Sequence, residues 1–184
     1  YSSLGIGAAI GLPFVETLVP IVPLFLMISF NILSYGYILG FLFTYIGTCA
    51  ATILIFVIMR NINKKRLQDK ELSPKIQGYL NWIENTHPLL HIVAMMIPLS
   101  PAYLINYSMG LSNIKFSTYL FVTLVSRFLM LIFTLPFAVT LLSLYNSGEL
   151  GGVQGLWLLI FGTVVIYGIV YGQRMKKKIE LKNA

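Results

Sequence analysis

The chain has 184 residues, of which 57% are hydrophobic and only 10% are charged, and its mean hydropathy is +0.81. Soluble domains carry about 25% charged residues, so this composition excludes a water-soluble fold and predicts an integral membrane protein. The net charge of +7 does not indicate nucleic-acid binding, because the sequence contains no nucleic-acid-binding motif.

The first segment, residues 1–35, contains an apolar run that is interrupted by two prolines, in the sequence Pro20-Ile-Val-Pro23. Proline removes an amide donor and clashes with the preceding helical turn, so a straight helix is disfavoured here. We expect a hairpin that turns back inside the bilayer, followed by a spanning helix over residues 36–60. That length exceeds the roughly 20 residues that cross a hydrocarbon layer. Because the sequence begins at Tyr1 and not at methionine, it leaves open whether another segment precedes it.

Lysine and arginine are concentrated in two blocks, residues 60–75 and 174–182, and these blocks indicate how the chain is oriented. The positive-inside rule places both of them in the cytoplasm, beside anionic lipid. The loop over residues 61–87 and the tail over residues 174–184 are therefore predicted to be cytoplasmic.

The cytoplasmic loop is predicted to contain a helix. Ser73 can cap it, and Pro74 suits its first position. Its apolar residues fall on one helical face: Ile76, Tyr79, Leu80 and Ile83. We expect an amphipathic helix that lies on the lipid headgroups, with a partner-binding helix as the alternative.

Residues 88–115 form a second proline-broken apolar segment, with Pro98-Leu-Ser-Pro101 at its centre. Spanning helices are predicted for residues 116–144 and 155–173, on either side of an uncharged-to-acidic turn. These two helices already supply the even number of crossings that two cytoplasmic blocks require. A further crossing would put the basic tail outside. Residues 88–115 are therefore predicted to enter from the cytoplasm and to return there as a re-entrant hairpin.

The two hairpins are predicted to be related by inversion, because the first one must enter from the outside. The expected fold is all-α: a single polytopic membrane domain over residues 1–184, with two opposed re-entrant helical hairpins in an inverted repeat and at least three spanning helices. Transporters place their substrate site near the midplane between such broken elements. Two proline-kinked helices without functional meaning are the alternative.

Two charged residues are predicted to lie inside the bilayer, where a central charge costs roughly 2.5 to 3.5 kcal/mol. Arg127 follows Lys115 by about 18 Å at helical rise, slightly past the midplane. Glu16 lies on the outer hairpin, before Pro20. We hypothesise that Glu16 and Arg127 face one another or a shared aqueous cleft, as a proton-sensitive pair or with Arg127 holding a lipid phosphate while Glu16 titrates. The alternative is a pair that only neutralises itself and fixes the packing.

Uncharged polar residues near the broken segments are further candidates. Asn31 and Asn106 either bond a lipid headgroup or satisfy backbone groups that the prolines leave free. His87 and His91 have a spacing that suits a metal, but Pro88 separates them and a further ligand is absent, so no metal site is predicted. Because no nucleophile elbow, phosphate loop or intramembrane acid dyad is present, neither an enzyme nor a cofactor is expected.

The order of these features carries a family resemblance. The first half contains Leu12-Pro-Phe-Val-Glu16-Thr-Leu-Val-Pro20-Ile-Val-Pro23, then Gly36, Gly40, Gly47 and Arg60. The second half contains Pro98-Leu-Ser-Pro101-Ala-Tyr-Leu-Ile-Asn106-Tyr-Ser-Met-Gly110-Leu-Ser. Together these runs resemble the DedA superfamily, also called the VTT-domain or SNARE-associated Golgi protein family. The similarity covers most of the chain, from residue 11 to residue 127.

The resemblance implies two opposed re-entrant hairpins and a role in moving lipids between leaflets. The hairpins would be shaped by Pro20, Pro23, Pro98, Pro101 and Gly110. Bacterial relatives are associated with returning undecaprenyl phosphate or phosphatidylethanolamine across the plasma membrane, with protons as a suggested energy source. Eukaryotic relatives behave as scramblases.

The chain departs from the family pattern at three positions. Many members have an acid where Phe25 stands, and an arginine where Met95 and Pro101 stand. Without those charges, Glu16 and Arg127 are the remaining candidates for proton coupling and phosphate binding.

We therefore expect a lipid transporter or scramblase of the plasma membrane with a cytoplasmic C-terminus. It would move a phospholipid or undecaprenyl phosphate headgroup through a cleft between the hairpins, with proton linkage left open. The expected partners are these lipids and the bilayer, with no nucleic acid, and a homo-oligomer is left open. The alternatives are a non-transporting protein that supports membrane-protein assembly or trafficking, and a transporter of small solutes or ions.

Overall fold

The computed structural model of the chain describes residues 5–19, 23–66, 74–96 and 102–147, together with the pairs 155–156, 159–160 and 162–163. Within these parts the chain is helical and contains no strand, so the all-α expectation is confirmed. Six helices follow in chain order: α1 Ile6–Leu18, α2 Leu24–Arg66, α3 Pro74–Asn85, α4 Pro88–Met96, α5 Ala102–Leu111 and α6 Phe116–Ser147.

The first half of the molecule is a helical hairpin whose arms are α1 and the beginning of α2. The amide Nδ2 of Asn31 in α2 donates to the carbonyl oxygen of Ala9 in α1 at 2.8 Å. Since these two residues are equally far from the bend, the arms are antiparallel. Pro23 is exposed just before α2, and Pro20 lies outside the described residues.

Helix α2 is broken at Gly36, where φ is 80° and ψ is 173°. This is a region of backbone space that essentially only glycine occupies. After the break the chain reverses, and residues 37–66 pack back against the arm formed by residues 24–35. A Cβ atom at Gly40 would lie 2.6 Å from backbone atoms of Asn31 and Ile32. One glycine therefore turns the chain, and a second one allows the two pieces to touch.

The second half repeats the arrangement with separate helices. Gly110, near the end of α5, packs so closely on α2 that an added Cβ would lie 2.5 Å from the Cβ of Met59. Arg60 in α2 donates from Nε to the carbonyl oxygen of Gly110 at 3.1 Å and from Nη2 to that of Ile114 at 2.7 Å. The end of α5 and the start of α6 are thereby fixed at the end of the molecule where Arg60 lies.

Helix α4 begins at this same end, because His87 and Leu89 line a surface groove together with Ser117 in the first turn of α6. Both ends of the segment over α4 and α5 thus lie at one end of the molecule. The turn between them, with Pro98 and Pro101, falls outside the described residues.

Helix α3 begins at Pro74 as predicted. Part of its apolar face packs against the protein and not against lipid headgroups. The Ile83 side chain is completely buried in a core cluster with residues of α2, α4, α5 and α6. The ring Nε2 of His91 in α4 lies 3.0 Å from the Ile83 carbonyl oxygen, and its ring meets that of Trp82 edge to face. Helix α3 is therefore part of the folded body.

Two described helical stretches are long and apolar enough to cross a membrane, Leu24–Ile62 and Phe116–Leu144. They contain the spans predicted for residues 36–60 and 116–144. The third predicted span, residues 155–173, and the basic tail, residues 174–184, fall almost wholly outside the described residues. The number of spans and the re-entry of the two hairpins into a bilayer stay predictions.

Candidate functional site

Helices α2 and α6 meet along a line of buried polar side chains, which we call the polar seam. It is defined by the following residues: Thr44, Thr48 and Thr52 on α2, and Tyr119, Thr123, Ser126 and Arg127 on α6. On each helix these residues recur at intervals of three or four, so that they share one face. A described bond joins the two sets, from the Tyr119 hydroxyl to the carbonyl oxygen of Thr52 at 2.7 Å, whereas the Thr44 hydroxyl bonds within α2.

Several hydroxyl groups of the polar seam bond within their own helix. Thr44 donates to the carbonyl oxygen of Gly40 at 2.8 Å, and Thr52 donates to that of Thr48 at 2.7 Å. Such bonds to the preceding turn satisfy a hydroxyl inside an apolar helix without an outside partner. The hydroxyl of Thr123 differs, because it is buried and no described group bonds it.

Arg127 lies buried in the polar seam, with 8% of its surface exposed. Its Nη1 approaches the sulfur of Met130 at 3.8 Å, and its buried Nε has no hydrogen-bond partner among the described residues. A thioether is only a weak acceptor. The guanidinium group therefore lies in a low-dielectric interior, and no described carboxylate is hydrogen-bonded to it, although a carboxylate normally accompanies such a charge.

Glu16 is half-buried near the end of α1, and its carboxylate Oε2 accepts a long hydrogen bond of 3.5 Å from the hydroxyl of Thr17. The charges of Glu16 and Arg127 are close enough to interact electrostatically. No hydrogen bond between described atoms joins them, since the Arg127 Nε is unpartnered and its Nη1 is directed at Met130. The structure therefore shows an electrostatic interaction without a described hydrogen bond, and both hypotheses for the pair stay predictions.

The two asparagines lie at the edges of the polar seam and bond to the protein. Asn31 donates from Nδ2 to Ala9 and also to the Thr44 hydroxyl at 2.9 Å, while its buried Oδ1 has no described partner. Asn106 in α5 is buried, and its Oδ1 lies 3.4 Å from the hydroxyl of Tyr119. Asn31 was expected either to bond a lipid headgroup or to satisfy free backbone groups, and a bond to a backbone carbonyl is observed. Its Oδ1 atom stays available as an acceptor in the core.

Of the prolines that suggested the hairpins, the structure describes one, Pro23. Pro23 is exposed, and Pro20, Pro98 and Pro101 lie outside the described residues. Gly110 acts through close packing, as described for its contact with Met59.

Sequence reasoning missed two charged residues that hold the elbow between α5 and α6. One is Arg60, and the other is Glu84 in α3, whose Oε1 accepts from the backbone N and from Nδ2 of Asn113 at 2.8 and 3.1 Å. Three of these four bonds involve backbone atoms of the elbow, which carry no side-chain signal. The threonines at every fourth position of α2, in contrast, are visible in the sequence.

A protein-family model and a relative match this chain. The family model for the VTT domain matches residues 19–141, which include all of the seam. A relative from Bacillus subtilis (strain 168), described as the uncharacterized membrane protein YhjE, is 29% identical over 115 residues. The alignment covers 62% of this chain and 56% of the relative, so the chain spans little more than half of that protein. No solved structure matches the chain.

Proposed function

Because the chain belongs to the VTT-domain, or DedA, family of membrane proteins, we propose that it moves a phosphate-bearing lipid between the leaflets of the plasma membrane. The substrate would be a phospholipid or a polyprenyl phosphate such as undecaprenyl phosphate. Its headgroup would pass along the polar seam between the two hairpins, which enter the bilayer from opposite faces, while its acyl chains stay in lipid.

The observation that carries this proposal is the state of Arg127. A charge in the middle of an apolar helix is expensive in a bilayer, by roughly 2.5 to 3.5 kcal/mol on insertion scales. Such charges normally have a partner, yet no carboxylate bonds this guanidinium among the described residues. A phosphate is a strong acceptor for a guanidinium and would supply the missing negative charge. We therefore assign Arg127 the role of holding the lipid phosphate.

Glu16 is proposed to act beside it as the group that exchanges protons. A protonated Glu16 leaves the positive charge of Arg127 free for a phosphate, whereas an ionised Glu16 competes with the phosphate for that charge. Glu16 is half-buried near the end of α1, which is the deep end of a hairpin that enters from the outside, so a proton would reach it through the cleft between the hairpins. Release of the lipid would then be linked to loss of a proton from Glu16.

The two hairpins support a polar path for the headgroup between them. Each proline-broken segment returns to the end of the molecule from which it starts, so neither one needs to fill the full thickness of the membrane. Broken backbone at membrane depth is tolerated where it lines a wet cavity or is buried in protein. Two such segments from opposite faces leave only a short distance for a headgroup to cross, which is the arrangement used by many transporters.

The test is lipid movement in liposomes that contain the full chain and labelled phosphatidylethanolamine, or undecaprenyl phosphate in a second set. We expect Arg127→Met and Glu16→Gln to reduce the transport rate to that of protein-free liposomes. Arg127→Met should not lower the thermal stability in detergent, because it removes a buried charge that has no ion pair.

Glu84→Gln is the matched control for loss of a carboxylate, since Glu84 is exposed at the elbow and far along the chain from the polar seam. It should transport at the wild-type rate. Full activity of both Arg127→Met and Glu16→Gln would contradict the proposal. Solute flux without lipid movement would favour a transporter of small solutes or ions, and the absence of any flux would favour the assembly or trafficking role.

A further inference from the structure

A groove opens on the surface between the first turns of α4 and α6. Its volume is about 400 Å³. It is separate from the polar seam, because its residues lie at the ends of the helices and are largely exposed, whereas the seam is buried. Six residues line it: His87, Pro88, Leu89, Ser117, Thr118 and Phe121.

One part of the groove carries hydrogen-bond donors. The Nδ1 atom of His87 accepts a hydrogen bond from the backbone N–H of Leu89 at 3.3 Å, so the neutral ring carries its proton on Nε2 and offers it as a donor. Ser117 and Thr118 add two hydroxyl groups on the opposite wall. Lys115 is exposed just before α6, and none of the described residues that line the groove is acidic. This part of the groove therefore suits an anion.

The other part of the groove is apolar and exposed. Leu89 is 59% exposed and Phe121 is 55% exposed. On the same two helices the exposed apolar surface continues beyond the groove, through Val93 on α4 and through Leu124 and Phe128 on α6. In a membrane protein such a surface faces acyl chains. The groove thus joins a donor-rich end to the lipid-facing side of the molecule.

The position of the groove matches the level of lipid headgroups. It lies at the end of the molecule where Arg60 bonds the elbow before α6, next to Lys115. By the positive-inside rule this end is cytoplasmic. A groove at this level meets the inner-leaflet phosphates.

We propose that this groove binds one phospholipid of the inner leaflet. The lipid phosphate accepts hydrogen bonds from the Nε2 atom of His87 and from the hydroxyl groups of Ser117 and Thr118, while the acyl chains lie on Leu89 and Phe121. The proposal rests on the membrane orientation given above but does not require transport.

The test is native mass spectrometry of the full chain in detergent, titrated with phosphatidylglycerol or with a glucosyl diacylglycerol that has the same acyl chains and no phosphate. We expect the wild-type chain to bind phosphatidylglycerol more tightly. The triple variant His87→Asn, Ser117→Ala, Thr118→Val should lose about thirtyfold in affinity for phosphatidylglycerol, since each of the three lost hydrogen bonds is worth about threefold. Its affinity for the glucosyl lipid should stay unchanged.

The substitutions are chosen to preserve the fold. Asparagine is a favoured residue at a helix N-cap, so His87→Asn keeps an acceptor for the amide of Leu89 while it removes the outward donor. Helicity measured by circular dichroism checks this. The single variants Ser117→Ala and Thr118→Val, each expected to weaken binding about threefold by the same reasoning, provide a second measurement.

Arg127→Met separates this proposal from the transport function, because it should abolish transport and leave phosphatidylglycerol bound in the groove. Equal affinity of the wild-type chain for both lipids would overturn the groove proposal, as would an unchanged affinity of the triple variant for phosphatidylglycerol. Complete displacement of phosphatidylglycerol by millimolar inorganic phosphate would also overturn it, since the site would then belong to a free anion.

Discussion

Glycines in α2 have two distinct structural roles, and the neighbouring atoms show which role each has. At Gly40 the obstacle to a side chain is steric, because the arm of the first hairpin lies directly against the backbone. At Gly36 a Cβ atom would meet nothing within 4 Å, and the obstacle is the backbone angle φ of 80°. Substitutions at the two positions should therefore fail for different physical reasons.

Gly36→Ala should destabilise the protein by about 1–3 kcal/mol, because alanine at this φ and ψ is strained even with open space around it. Gly11→Ala is the matched control. Gly11 lies inside α1 and also has open space, but its backbone is helical, so alanine should be neutral or stabilise by roughly 0.5–1 kcal/mol. Unfolding of both variants in detergent, followed by circular dichroism, measures the difference. Equal stability of the two would contradict the assigned role of φ.

The sequence made Arg127 recognisable, because a lone arginine within a long apolar run is rare and expensive. It also made Glu16 recognisable. It did not reveal that the described hydrogen-bond contact of the Arg127 guanidinium is to a thioether and not to a carboxylate. That fact depends on side-chain directions across helices, which hydrophobic periodicity does not determine. The role of Asn31 as a brace between α1 and residue Thr44 was hidden for the same reason.

At the scale of helices, the elbow between α5 and α6 is the most heavily bonded connection that the structure describes. Arg60 reaches it from α2 and Glu84 reaches it from α3. The guanidinium carbon of Arg60 also lies 4.7 Å from the centre of the Phe56 ring, which keeps the side chain extended toward the elbow. Through these bonds α2 and α3 are joined to the elbow between α5 and α6.

Arg60→Ala should loosen this elbow without unfolding the protein, because the carbonyl groups of Gly110 and Ile114 lose a charged donor. We expect faster amide hydrogen exchange over residues 111–116, by about tenfold if the loss is near 1.4 kcal/mol. Asn61→Ala changes the exposed neighbouring residue and is the control. If exchange in the elbow is the same in both variants, the bonds of Arg60 do not hold it.

The proline pairs predicted hairpins, and the contacts between α1 and Asn31 agree with an antiparallel pair in the first half. The docking of α3 was not predictable from its pattern. An amphipathic helix on headgroups and one packed against protein share the same periodicity, and only the burial of Ile83 distinguishes them here.

At the scale of the whole molecule, the predicted inverted repeat depends on the directions in which the open ends of the two hairpins point. The contacts place the open ends of the second hairpin beside Arg60. In the first half, the pair Ala9 and Asn31 lies beside Gly40, at the opposite end of the helix that continues to Arg60. The two open ends therefore point in opposite directions along that helix. An inverted repeat requires this geometry, and a bilayer then decides which end is outside.

Cysteines placed one at a time beside the two proline pairs should react from opposite sides of the membrane. The background is Cys49→Ala, a small change because Cys49 is buried and unpaired. Near Pro20 we expect labelling by an impermeant maleimide added outside, and near Pro98 labelling only after the cytoplasmic side is opened. Labelling of both sites from one side would rule out the inverted arrangement.

The break at Gly36 also limits the length of the helical pieces of α2. At 1.5 Å per residue, an unbroken rod from Leu24 to Arg66 would measure about 65 Å, more than twice the hydrocarbon thickness of about 30 Å. Folding that rod at one residue leaves two pieces, residues 24–35 at about 18 Å and residues 37–66 at about 45 Å. The first is too short to cross the hydrocarbon layer, and the second is long enough to cross it once. A D-amino acid at this position would accept the same backbone angles, so a chain carrying D-alanine there should keep the bend that L-alanine strains.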